Sequence, residues 1–62
     1  MASVTANGLA KGDKLLRADG HWGVVDVCEI ARVHIIWNTG TYSVETYPQA
    51  RLMRQRAIKA GA

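Results

Sequence analysis

The chain has 62 residues, 48% of them hydrophobic and 21% charged, and a net charge of +3 from eight Lys and Arg against five Asp and Glu. That length allows one domain, which buries only about 60% of the surface of its unfolded chain, so a further source of stability is expected. Cys28 is the lone cysteine, which excludes a disulfide within the chain; Cys28, His21 and His34 lack the paired spacing of a zinc site. Self-association, or docking on a larger partner, is the expected remaining source.

In chain order, residues 1–10 are small and polar, with Asn7-Gly8 as a turn signal, and are expected to form a flexible arm outside the core. They lack the basic-then-apolar pattern of a signal peptide, and the chain has no apolar run of membrane-spanning length. A free cysteine suits a reducing compartment. The expectation is a cytoplasmic protein, or a virion component if the gene is a phage's. A chain starting at its own Met1 reads as a small stand-alone product of the kind phages carry.

Lys11-Gly12-Asp13 predicts a turn into a first strand over residues 14–17, and Ala18-Asp19-Gly20 a tight turn after it. Residues 22–31 predict a second strand and its closing turn, with Val25, Val27 and Glu29 alternating against Val24, Asp26 and Cys28. Gly23 is the natural place for that strand to bend. Residues 32–37 give the clearest strand: Val33, Ile35 and Trp37 share one face, Arg32, His34 and Ile36 the other. Asn38-Thr39-Gly40 predicts a three-residue hairpin loop with Gly40 in left-handed geometry. Residues 41–46 then return as a fourth strand, with Tyr42 and Val44 on one face.

Pro48 ends that strand, since it cannot donate to a ladder. Beyond it the residues support two outcomes. One is a 3₁₀ turn near Pro48, a fifth strand near Leu52-Met53 and a short helical tail. The other is an α-helix from Pro48 to about Lys59, with Pro48 in its first turn and good helix formers throughout. The expectation adopted is an all-β, five-stranded barrel over residues 11–54 with a basic tail, helical at most in a short stretch, over 55–62.

The order Gly12-Asp13-Lys14-Leu15, Trp22-Gly23-Val24-Val25, Val33-x-Ile35-x-Trp37 and Tyr47-Pro48-x-x-x-Leu52 resembles the SH3-like and Tudor-like small barrels. Residues 43–52 are also similar to the end of the type II, plasmid-encoded dihydrofolate reductases, SH3-like tetramers with a central active pore. Their Val-Gln-Ile-Tyr pore motif aligns with Val44, Glu45, Thr46 and Tyr47, so the outer two positions match and the middle two depart. In that family the Gln and Ile meet substrate and cofactor, and a basic residue on the first strand, near Arg17 here, meets their negative charge. Glu45 would set four carboxylates in such a pore against anionic ligands, which like-charge repulsion opposes.

No catalytic constellation emerges from the remaining residues. His21 and His34 share no strand face with an acid that the pattern can place, and a Cys28–His34 pair has no orienting third group. No cofactor is implied. Trp22, Trp37, Tyr42 and Tyr47 could barely supply a cation-binding cage; Trp37 and one Tyr are expected in the core, with Trp22 facing a partner. Arg51, Arg54, Arg56 and Lys59 fall in the last twelve residues with no acid among them. The candidate partner-binding residues are Trp22, Arg32, His34, Arg51, Arg54 and Arg56. They suit a non-enzymatic module docking on itself or on a larger protein assembly, such as a phage minor capsid or decoration protein or a host-factor inhibitor, with residues 1–10 and 54–62 as clamps. The alternatives are a nucleic-acid-binding module, with Arg17, Arg32, Arg51, Arg54 and Arg56 on phosphates and Trp22 as a stacking platform, and a reductase-like enzyme.

Overall fold

Short alternating runs joined by tight turns pair most readily with their neighbours in sequence, and they do. The computed structural model describes residues 8–62. Its strands β1 (Lys14–Leu16), β2 (Trp22–Cys28), β3 (Arg32–Trp37) and β4 (Tyr42–Thr46) form one antiparallel sheet in the order β1-β2-β3-β4, followed by the helix α1 (Tyr47–Lys59). No described helix is long and apolar enough to cross a membrane.

The loop after β3 has the expected chemistry. Gly40 takes φ +85°, its amide donates to the Trp37 carbonyl, and the Trp37 amide donates to Thr41. Register runs unbroken from Arg32 opposite Thr46 to Ile36 opposite Tyr42. The β2–β3 register instead shifts between Val25 and Val27. The extra residue, Asp26, forms a bulge that turns Val27 outward and brings Cys28, rather than Val27, against the core. The change of face expected at Gly23 therefore happens three residues later.

The inner sheet face buries Leu15, Val25, Val33, Ile35 and Trp37 beneath Tyr47, Ala50, Met53 and Ala57 of α1. Leu9 joins this core at 1% exposure, so the expected outlying arm does not hold at Leu9; residues 1–7 of that arm lie outside the described residues.

The four-stranded sheet is not closed into a barrel, and Leu52 and Met53 lie in α1 rather than in a fifth strand. Helix propensity and helical spacing decide this. Tyr47, Ala50, Met53 and Ala57 recur at intervals of three and four, which only a helix lines up on one side. Pro48 falls in the first turn, where no amide donor is required, so the expected 3₁₀ turn is the start of the helix. The helix ends in a Schellman arrangement: Gly61 at φ +102° donates to Ile58, and the Ala62 amide donates to Ala57. Having left β4 at one sheet edge, α1 packs chiefly on β1 at the other.

Candidate docking surface

α1 covers one face of the sheet and leaves the other open. In register, Lys14, Val24, Ile36 and Tyr42 form one row across the outer face, and Val27, His34 and Val44 form the next. Val24, Val27, Ile36, Tyr42 and Val44 remain 42–54% exposed there. Ile30, at the tip of the β2–β3 turn, is 98% exposed. These residues adjoin one another across the sheet, unlike the singly scattered apolar exposure of ordinary surfaces. At one end the face runs into an apolar groove of about 490 Å³ lined by Lys14, Trp22, Val24, Ile36, Trp37 and residues 60–62.

Three side chains on this face are linked. His34 Nε2 lies 2.7 Å from Glu29 Oε1, and His34 Nδ1 meets the Tyr42 hydroxyl. A neutral ring with its proton on Nε2 satisfies both bonds, donating to Glu29 and accepting from Tyr42. The acid comes from outside the strands, beyond the end of β2 at Cys28, which is why a strand-face pattern does not place it. Glu29 reaches it across the tight turn in which the Glu29 amide donates to Arg32. The arrangement has the order of a nucleophile, base and orienting acid, but Tyr42 is held in its protonated form. Desolvation raises its pKa, and the charges of Asp26 and Glu29 add to the rise. The trio stands on an open sheet face, with Tyr42 exposed and His34 half-buried. Cys28 points the other way, with its Sγ 3.8 Å from the Leu9 carbonyl, so Cys28 and His34 are not brought together.

The candidate partner-binding residues divide. Trp22 is half-buried in the groove and His34 lies on the outer face. Arg32 is exposed at the start of β3, opposite Thr46, and Arg51 is exposed on α1. Arg54 and Arg56 are engaged within the fold. The Nη1 of each donates over 3.0 Å to a β1 carbonyl, Arg54 to Lys14 and Arg56 to Leu16, and Arg54 Nη2 is 4.0 Å from Asp13 Oδ1. Arg17 binds Asp19 at 2.8 Å and stacks 4.8 Å from the centre of the Trp37 ring. Asp19 is drawn down to about 2 by the Arg17 hydrogen bond first and the His21 amide second.

The aromatic set does not converge. Trp37 and Tyr47 are buried, Tyr42 stands on the outer face and Trp22 lines the groove. Tyr47 donates its hydroxyl to the Glu29 carbonyl, tying α1 to the β2–β3 turn. Val44 and Tyr47, the residues that match the reductase pore motif, are thus separated: one lies on the outer face and the other in the helix core. Among the described residues no three His, Cys, Asp or Glu side chains are grouped to hold a metal ion.

Comparison with protein families, with curated proteins and with solved structures gave no match to this chain.

Proposed function

We propose that the chain is a non-enzymatic interaction module that docks through the outer face of its sheet, on a second copy of itself or on a larger protein assembly. The observation that carries this is the row of half-exposed apolar residues, Val24, Ile36 and Tyr42, flanked by Val27 and Val44. The scarcity of charge at its centre matches the middle of protein interfaces. Ile30 and Trp22 would grip at the margins, and an accessory role on a phage particle or against a host factor would use the same surface. The relation to SH3-like barrels belongs to this reading as well: the four-stranded meander and its hairpins support it.

Nucleic-acid binding is the weaker reading, because Arg17, Arg54 and Arg56 already hold partners inside the fold. Light scattering on the pure chain tests docking. The expected result is a mass well above 6.8 kDa that falls when Ile36→Lys places a charge in the middle of the face. A mass unchanged by Ile36→Lys would remove the outer face from any role in association.

A further inference from the structure

The two edges of the sheet are treated differently. On β1, the carbonyls of Lys14 and Leu16 point away from β2 and would be free to pair with another strand, but the guanidinium groups of Arg54 and Arg56 occupy them. β1 is also only three residues long. Short length and covering charged side chains are the usual protections of an edge. β4 is longer, at five residues, and carries no proline, no lysine and no bulge; among the described residues no hydrogen bond from a charged side chain to its backbone is seen.

The hydrogen-bond phase shows which β4 groups face outward. Trp37 bonds Thr41, so by alternation Ile35–Ser43 and Val33–Glu45 are the bonded pairs, and the backbone groups of Tyr42, Val44 and Thr46 point away from β3. Among the described residues no turn or loop backbone group bonds them; the Thr46 carbonyl, as helix N-cap, accepts from the first turn of α1.

We propose that β4 pairs antiparallel with β4 of a second copy, about a two-fold axis at Val44. This partner rests on the docking reading above and names one occupant for one edge. The strand is complementary to itself in that register. Val44 and the partner's Val44 exchange two hydrogen bonds, and each Thr46 amide donates to the Tyr42 carbonyl across the axis. On the outer face Tyr42 lies opposite the partner's Thr46. On the inner face Glu45 lies opposite the partner's Ser43 and not opposite the partner's Glu45, so no like charges meet directly. The pairing makes one eight-stranded sheet whose two apolar outer faces become continuous. It also closes off the unprotected edge, while the sealed β1 edges stop growth at two copies.

The Ile36→Lys background isolates this contact, because it disables the outer face and leaves the β4 edge untouched. In that background the expected mass is twice 6.8 kDa. Adding Val44→Pro removes an outward amide that makes no bond to β3, and should raise the dissociation constant about ten- to a hundredfold through the two lost hydrogen bonds. Val44→Thr, which keeps that amide, should leave the dimer intact. Amide exchange on the Ile36→Lys protein supplies a readout independent of any folding defect in the proline variant: the Val44 and Thr46 amides, which donate across the axis, should be protected at high concentration and lose protection on dilution. An Ile36→Lys protein that is monomeric at all concentrations, a Val44→Pro variant that dimerises as well as its parent, or amides at these positions that exchange freely at high concentration would overturn the proposal. A fall in mass on Ile36→Lys that stops at a dimer supports both readings, and one that goes straight to monomer removes only the edge.

Discussion

Trp37 occupies the space that a side chain at position 23 would need. A Cβ on Gly23 would stand 2.5 Å from Trp37 Cε3 and 2.8 Å from Cζ3, with Ile35 Cγ2 at 2.9 Å. The ring cannot move aside cheaply. It is buried, its Nε1 donates to Ser43 Oγ at 2.7 Å, and Arg17 stacks on it. Gly23→Ala should therefore destabilise the fold by about 1–3 kcal/mol, the usual penalty of overpacking. Against the roughly 3–9 kcal/mol expected for a chain of this length, that is a large share. Urea unfolding followed by tryptophan fluorescence should show an earlier midpoint with an unchanged slope; an unmoved midpoint would mean that the ring has room to shift.

The role of Gly23 shows where reading the sequence stops. Its glycine is legible as a special position, yet as a bend in the strand; the steric reason lies in a ring on β3, fourteen residues on. Strand β3 and its hairpin are legible because alternation and the Asn-Thr-Gly loop are local signals, and the boundaries Arg32–Trp37 follow from them. The bulge at Asp26 is not legible, since only the partner strand defines which residue is extra. Without it Glu29 cannot be placed beside His34, so the linked trio on the outer face has no sequence signal. Arg54 and Arg56 look like a basic tail for the same reason: forty residues separate each from the carbonyl it binds. The outer face itself is half visible, in Ile36 beside His34 and in Tyr42 with Val44, but which face a helix covers is not legible from a segment whose residues 52–53 fit either a strand or a helix.

That last ambiguity can be tested directly. In a strand Leu52 and Met53 would point to opposite faces, and either could be the buried one. In α1, Met53 is in the core at 8% exposure while Leu52 is 56% exposed. Met53→Lys should abolish cooperative unfolding or cost several kcal/mol, since it buries a charge without a partner. Leu52→Lys should change stability by less than about 0.5 kcal/mol, as exposed substitutions do. Equal damage from the two variants, by circular dichroism and thermal melting, would contradict the helical face assigned here.

Asp19 gives a pH dependence with a definite sign. Its folded pKa of about 2 lies below its unfolded value, so the contribution from Arg17 and the His21 amide is fully present above about pH 4 and lost as the pH falls toward 2. Both side chains are half-exposed, so the gain is small and screened by salt. Asp19→Asn should unfold at the same urea concentration as the parent near pH 2 and at a slightly lower one near pH 6. Carboxyl titration followed by NMR should place Asp19 near 2 in the parent and nearer its ordinary range in Arg17→Ala. An Asp19 that titrates normally in the parent would show that the Arg17 contact is not held in solution.

Arg54 and Arg56 have a consequence beyond stability. Their hydrogen bonds to Lys14 and Leu16 are accessible to solvent, so removing both should cost only about 1–2 kcal/mol. The structural effect should be larger, because the double variant Arg54→Ala/Arg56→Ala exposes the outward carbonyls of β1 while β4 remains open. A sheet with two open edges can add copies at both ends, and assembly then no longer closes at a dimer. The double variant should form growing, thioflavin-positive aggregates at concentrations where the parent keeps a fixed mass. Adding Val44→Pro should suppress them, since growth through β4 is then blocked. If the arginines instead served mainly to bind phosphate, the double variant would keep the mass of its parent and lose a salt-sensitive affinity for RNA or DNA that the parent possesses. Light scattering of the double variant, beside a gel-shift titration of the parent in low and moderate salt, separates the two roles.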